Sequence, residues 1–394
     1  VSHRDHDDDG GFRMSGVVPV VSAMLAGVLS WAAWRWSAVP FAWAGFAWAA
    51  VAALWAILAR RRWARLVLVN LALLFAVVAS AELVLRAQAG RRGGGERRLE
   101  TSHDVVAADP VFGWAPYGPT VRHARLTVDG REVYDVDYTF DADGRRVTPP
   151  DLPRPPVGSV VAFGGSFTFG EGVADAETMP WRVEELTDGR WRVVNLGFQG
   201  WGPQQMLAAL DAGLLADVAT GDRVEAVYQC AFFHVERAAG RVRWARGTPR
   251  FVLDGDGVRR EGFYPDDLEG PYPWPAVLDR WLAWRGLAGS VRPPGRSAVA
   301  LFAGIVATAR DRVLAHGPGA RFHVLYWDDE PPWLDGPVVD ALRSAHVGVT
   351  RVSGILPVRD AVMRLDPADA HPSAAAHDRV ARWIVTHRLD RSGG

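Results

Sequence analysis

The chain has 394 residues, and its 44 basic residues nearly cancel 45 acidic ones. That length exceeds one average domain, an apolar share of 49% with 23% charged residues excludes wholesale disorder, and a net charge of −1 gives no basis for nucleic-acid binding. One cysteine excludes an internal disulfide and a Cys-rich zinc site, and the absence of Lys excludes a Lys nucleophile, a Schiff base and a Walker-type phosphate loop.

Residues 1–15 form a polar tail that includes Asp7–Asp8–Asp9. Gly16–Trp34 follows as 19 uncharged residues, and after Arg35 comes Trp36–Ala59, 24 more. Arg60, Arg61, Arg62 and Arg65 precede a third uncharged run, Leu66–Ala81, which Leu83–Leu85 extends if Glu82 sits at an interface. A helix needs roughly 20 apolar residues to cross the hydrocarbon core of a bilayer. The first two runs meet that length, and the third meets it with Arg65 and Arg86 snorkelling at its edges. Trp31, Trp34, Trp36, Trp55 and Trp63 lie near the run ends, where interfacial aromatics belong. A signal peptide explains one such run, not three. Residues 16–88 are therefore expected to form a membrane region of three helices, with the lipid bilayer as partner. The arginine loop between the second and third runs favours the inside, which sends everything after residue 88 outside. Arg86, Arg91, Arg92, Arg97 and Arg98 pull the other way.

Residues 89–104 carry Gly93–Gly94–Gly95 among arginines and read as a flexible linker. Residues 105–157 form a β-rich entry segment, in which Leu126–Val128, the turn Asp129–Gly130 and Val133–Phe140 predict a hairpin. Whether this segment packs on the following domain or stands apart is open from sequence. Strands and helices then alternate. Val157–Phe163, Trp191–Leu196, Val224–Phe233, Arg321–Trp327 and Val347–Val352 predict five short buried strands. Met179–Leu186, Gln204–Val218, Ser297–Ala315, Val338–Ala345 and Ser373–His387 predict helices, the last with Ser373 as its N-cap. The expected fold over residues 158–390 is α/β, a parallel sheet sandwiched by helices and preceded by the helical membrane region. Residues 235–295 break the alternation and read as an insertion.

Chemistry in such folds gathers at the carboxyl ends of the strands. The first strand ends in Gly164–Gly165–Ser166–Phe167–Thr168–Phe169–Gly170, where two glycines allow a sharp turn that presents a hydroxyl. A structural turn explains the same residues, and Thr168 breaks the Gly-x-Ser-x-Gly elbow of α/β-hydrolases. A serine nucleophile needs a base, and Asp369–Ala370–His371–Pro372 provides one. Residues two apart in extended chain project to the same side, so Asp369 reaches one imidazole nitrogen and leaves the other for the nucleophile.

With these residues in place, the chain from about residue 105 resembles the SGNH (GDSL-type) hydrolases, in particular membrane-anchored bacterial members. Residues Gly164 to Gly170 resemble the family's first block, with Gly165 where an Asp is usual. Asn195–Leu196–Gly197–Phe198–Gln199–Gly200–Trp201–Gly202 resembles the second block, and Asp369–Ala370–His371–Pro372 the last. Asp109–Pro110–Val111–Phe112–Gly113–Trp114, Asp143–Gly144–Arg145–Arg146 and Glu82–Leu83–Val84–Leu85–Arg86 match the lead-in of the anchored members. The resemblance implies an SGNH-hydrolase-like (flavodoxin-like) sheet and a triad of Ser166, His371 and Asp369. It also implies an oxyanion hole built from Ser166 and Gly200. The third block departs from the family: its usual Asn is missing, and Val227–Phe233 runs into His234–Val235–Glu236–Arg237. His234 is the nearest substitute donor in position and Gln229 the fallback; a packed polar residue explains His234 equally well.

The expectation is a serine esterase or acyl-transfer enzyme, without metal or organic cofactor, at a bacterial inner membrane with its catalytic domain outside. By analogy its substrate is an ester-bearing small molecule, lipid or envelope glycan. The alternatives are a catalytically impaired glycan-binding module that keeps the fold, an O-acetyltransferase component, and a membrane sensor or scaffold. Trp244, Trp274, Trp281 and Trp284 in the insertion suit sugar stacking, although helical spacing favours packing for Trp281 and Trp284. Asp328–Asp329–Glu330 reads as a solvated loop rather than a cation site, and His377 as a helix-surface or packing residue.

Overall fold

The computed structural model describes residues 24, 26–28, 30, 41–59, 61–91, 97–150, 155–220, 223–255, 257–265, 295–367 and 369–389. They belong to two units, one of residues 1–94 with 271–292 and one of residues 95–270 with 293–394.

In the first unit, helix α1 spans Phe41–Leu58 and α2 spans Arg62–Arg91. They pack closely at Gly45, where a Cβ would lie 2.9 Å from the Ala79 Cβ. Trp48 Nε1 donates to Ser30 Oγ at 2.9 Å. Arg62–Leu83 is the one stretch among the described residues long and apolar enough to cross a membrane, and Ala42–Ile57 is a shorter apolar helix. Most of the expected first span, Gly16–Trp34, lies outside the described residues. The third span differs from the expected one in length. The helix starts four residues before Leu66 and runs past Glu82 to Arg91.

The second unit opens with an antiparallel sheet. Strand β1 is Arg97–Thr101, followed by the hairpin β2 (Val106–Asp109) and β3 (Gly113–Pro116), then β4 (Thr120–Val128) and β5 (Arg131–Phe140). The sheet order is β1-β4-β5, and Asp129 and Gly130 both take positive φ, as a two-residue hairpin turn requires. Arg97 and Arg98, expected in the flexible linker, are therefore an edge strand paired with Val128 and Thr127. Composition marked them as linker; the unpaired edge of β4 gives them their structure.

The central sheet is five-stranded and parallel: β6 (Gly158–Gly164), β7 (Trp191–Gly197), β8 (Val224–Ala231), then, after the hairpin β9 (Pro249–Asp254) and β10 (Gly257–Phe263), β11 (Ala320–Trp327) and β12 (Val349–Arg351). The order is β12-β11-β8-β6-β7, the flavodoxin-like arrangement expected. Alternate residues feed opposite layers. Val161 and Phe163 face a core with Leu207, Phe302 and Val338, while Val160 and Ala162 face one with Val183, Val380 and Ile384. The switch point of this order lies between the paired strands β6 and β8, whose onward connections lead to opposite halves of the sheet, so loops at their carboxyl ends border the crevice where such folds bind ligands. A third core joins Leu126, Tyr138 and Phe140 of the entry sheet to Phe169, Phe198 and Trp201 at these strand ends. The entry segment is thus a layer on the site rather than a separate body.

Three elements differ from expectation. The helix predicted over Gln204–Val218 is two, Pro203–Asp211 and Leu214–Val218, because Gly213 takes φ +84° and ends the first. The strand predicted to Phe233 stops at Ala231, whose N–H donates to His234 Nδ1 at 3.0 Å, and a helix runs over Phe233–Ala238. The helix predicted from Val338 begins at Pro332 and continues through Pro337 to Ser344. Its first turns are held by Asp335, which accepts from Tyr326 OH at 2.8 Å, so the missing N–H of Pro337 does not end it. The expected insertion contains the Phe233–Ala238 helix and the β9–β10 hairpin. Trp274, Trp281 and Trp284 lie outside the described residues.

Candidate active site

Ser166 is the first residue of a one-turn helix, Ser166–Phe169, that starts directly after β6. Thr168 Oγ1 donates to the Phe163 carbonyl at 3.1 Å, and Asn195 Nδ2 to the Thr168 carbonyl at 3.2 Å, so strand, helix and second block are tied together. The last block is a short strand, Asp369–Pro372, paired antiparallel with Arg364–Asp366. Ser373 N-caps the following helix, Ala374–Ile384.

These two segments bring three expected residues together. His371 Nε2 lies 2.9 Å from Ser166 Oγ, and His371 Nδ1 lies 2.6 Å from Asp369 Oδ1. The His371 N–H also donates to Asp369 Oδ1 at 2.9 Å. A carboxylate only accepts, so the proton of the neutral imidazole sits on Nδ1 and the Nε2 lone pair faces the Ser166 hydroxyl. The Phe167 ring meets the imidazole edge-on with centroids 5.4 Å apart.

Two charged groups that the motifs do not signal complete the set. Arg97 Nη2 donates to Asp369 Oδ2 at 2.7 Å. Glu171 Oε2 lies 3.3 Å from His371 Nε2. Burial alone would raise the Asp369 pKa, but the hydrogen bonds from His371 and Arg97 hold it well below the usual carboxylate range. Burial depresses the His371 imidazolium, and the Glu171 and Asp369 carboxylates outweigh it, so His371 titrates above its ordinary 6.5.

The expected oxyanion-hole residues are at strand ends. Among the described residues, neither the Ser166 N–H nor the Gly200 N–H has an acceptor. Gly200 needs to be glycine: its φ is +80°, and a Cβ would crowd Trp114 and Trp244 at 3.2 Å each. His234 is buried and makes no hydrogen bond to Ser166. Two donors face the ring, the Ala231 N–H at 3.0 Å from Nδ1 and Arg237 Nη1 at 3.4 Å from Nε2; the shorter contact makes Nδ1 the acceptor and puts the proton on Nε2, which lies 3.1 Å from where a Gly165 Cβ would be. Burial pushes its pKa well below 6.5 and keeps it neutral. Arg237 Nη1 occupies the same place, 2.5 Å from that Cβ, and donates to the Trp201 carbonyl at 2.6 Å. Gly165 is therefore the residue against which His234 and Arg237 pack. Gln229 Oε1 accepts from Trp327 Nε1 at 3.0 Å inside the sheet, away from the loop.

The remaining candidates are accounted for locally. Asp328 accepts from the Ser353 N–H at 2.9 Å, and Asp329 pairs with Arg364 at 3.4 Å. His377 is buried and its Nδ1 accepts from the Met179 N–H at 3.1 Å, a packing role and not a surface one. Trp244 is 49% exposed beside Gly200, with its carbonyl accepting from Trp114 Nε1. Arg97 and Glu171 carry no signal in the sequence: one is 272 residues from its partner, and the other lies in no recognised block.

Comparison with solved structures finds a lipolytic G-D-S-L family member from Veillonella parvula, 12% identical over 59% of this chain and 98% of that one, with a TM-score of 0.33. A carbohydrate acetylesterase from Sinorhizobium meliloti is 12% identical over 58% of this chain and 96% of its own, with a TM-score of 0.31. An acetylxylan esterase from Geobacillus stearothermophilus, in a catalytic-mutant form, is 12% identical over 59% and 94%, with a TM-score of 0.31. No family model matches the chain, and no curated protein matches it significantly.

Proposed function

We propose that the chain is a membrane-tethered serine esterase or acyl-transfer enzyme of the SGNH type, with its α/β unit outside the cytoplasmic membrane. The observation that carries this reading is the continuous hydrogen-bond line from Ser166 Oγ through His371 to Asp369, at 2.9 and 2.6 Å. In this mechanism Ser166 Oγ attacks the ester carbonyl and His371 Nε2 takes its proton. Asp369 fixes the tautomer and balances the imidazolium. The N–H groups of Ser166 and Gly200, with His234 Nε2–H as third donor, hold the oxyanion. His371 then protonates the leaving alcohol, and the acyl group passes from Ser166 to water or to another hydroxyl. Exposed Trp244 beside Gly200 favours an O-acylated glycan as substrate, since aromatic faces stack on sugar rings.

The test is fluorophosphonate labelling of the detergent-solubilised chain, with the adduct located by peptide mass spectrometry. A single adduct on Ser166, absent in Ser166→Ala, is expected. A folded chain that takes no label would overturn the enzyme reading and leave the glycan-binding module.

A further inference from the structure

Two groups compete for one nitrogen. His371 Nε2 faces Ser166 Oγ at 2.9 Å and Glu171 Oε2 at 3.3 Å, whereas Asp369 occupies Nδ1. The Glu171 side chain is only 15% exposed, so water screens it little. Its loop is held from several directions. Gly170, with φ +84°, caps the Ser166 helix, and the Glu171 N–H donates to the Ser166 carbonyl at 3.0 Å. The Gly172 N–H donates to Tyr138 OH at 2.9 Å, and buried Arg146 donates to the carbonyls of Phe169, Gly170 and Val173. The backbone that carries Glu171 past the imidazole is thus a fixed turn.

A neutral His371 turns a lone pair toward both Ser166 and the Glu171 carboxylate, and the second of these contacts is repulsive. A protonated His371 turns an N–H toward both, and the carboxylate is the stronger acceptor. We propose that Glu171 is a second, positioning carboxylate of the triad histidine, which holds the Nε2–H of the imidazolium and sets the pH at which Ser166 becomes active. Its catalytic consequence rests on the serine-enzyme reading; the effect on the imidazole does not. As Ser166 Oγ bonds to the carbonyl carbon, its proton moves to Nε2 and the electron pair of the C=O bond moves to the oxyanion. Glu171 accepts the new N–H as a hydrogen bond and stays ionised. The proton then leaves Nε2 for the departing alkoxide oxygen as its bond to carbon breaks.

Other charged or titratable groups around His371 are Asp369 on its own strand, Arg97 on the edge strand, His377 on the last helix, and Tyr134 and Tyr138 of the entry sheet. Asp369 favours the imidazolium, whereas Arg97 and burial oppose it. His377 is neutral through burial, and both tyrosine hydroxyls are held neutral with pKa values raised by burial.

The experiment is an NMR titration of the full chain in detergent with histidines labelled at Cε1, the His371 resonance being assigned by its loss in His371→Gln. In Glu171→Gln the His371 midpoint is expected to fall by about one pH unit, the size of shift a neighbouring carboxylate produces. The acid limb of Ser166 labelling should move by the same amount, and Glu171→Asp should restore part of it. A merely structural role would lower the melting temperature and leave the midpoint in place. A midpoint unchanged in both variants would overturn the proposal. If no variant is labelled, the enzyme reading fails while the titration still decides whether Glu171 governs His371.

Discussion

At the scale of single residues, the proposed oxyanion hole turns on His234. Two backbone N–H groups are available, and the third position holds His234 instead of Asn. A ring nitrogen donates only if it carries the proton, and the acceptor role of Nδ1 toward Ala231 places that proton on Nε2. Burial, helped by adjacent Arg237, keeps the ring from charging, and burial also lowers the pKa of Arg237 to about 10. His234→Phe keeps an aromatic ring, slightly larger than the imidazole, and removes the N–H. In ester hydrolysis kcat should fall by about 10²–10³ with KM nearly unchanged, as removal of one oxyanion donor does elsewhere. The melting temperature should drop slightly as well, because Ala231 loses its acceptor. Unchanged kcat in a folded variant would reduce His234 to a packing residue.

At the scale of elements, the edge strand Arg97–Thr101 matters most, because it brings Arg97 to the Asp369 carboxylate. Arg97 lowers the His371 pKa by its charge. Arg97→Gln should therefore raise the His371 midpoint and move the acid limb of activity upward in pH, opposite to Glu171→Gln. The Arg97 side chain is 44% exposed, so the shift should be a few tenths of a unit and shrink with added salt, as expected for a solvent-screened charge. A pH–rate profile at low and high ionic strength checks both sign and size. This contact also marks the limit of what the sequence makes legible. The five core strands could be read because both faces are buried and each is a short apolar run between turn residues. Ser166, Asp369 and His371 could be read because each block is local. Arg97 and Glu171 could not: Arg97 is 272 residues from Asp369, and Glu171, although it follows the Ser166 turn, meets His371 only through the fold. The break at Gly213 and the early end of β8 at Ala231 were missed for a related reason. A left-handed glycine and a side-chain acceptor for a backbone N–H each override an uninterrupted apolar pattern.

For the molecule as a whole, the α/β unit carries three buried neutral histidines in different layers. His323 in β11 titrates at about 4, His377 in the last helix at about 3, and His234 well below 6.5, each because burial disfavours the charged ring. In the unfolded chain each binds a proton as pH falls through about 6.5. Between that pH and their folded values the unfolded state binds more protons, so stability falls as pH is lowered, by up to roughly 1.4 kcal/mol per histidine per pH unit. Asp335, raised to about 6 by burial, acts in the opposite sense as pH falls from about 6 to 4, as do Glu225 and Asp329, whose carboxyls burial also raises, whereas the three imidazoles act over the whole range from 6.5 down to 5. His371, raised by its carboxylates, adds stability below 6.5 that is lost only as pH rises through its folded value. The protein should therefore melt at a distinctly lower temperature at pH 5 than at pH 7. His323→Phe, whose ring can stack on Trp383 as the imidazole does, should flatten that dependence while losing the bond to Thr350. Melting curves of both proteins across this range test it. Equal slopes would mean that His323 is charged in the folded state and that the acid sensitivity lies elsewhere.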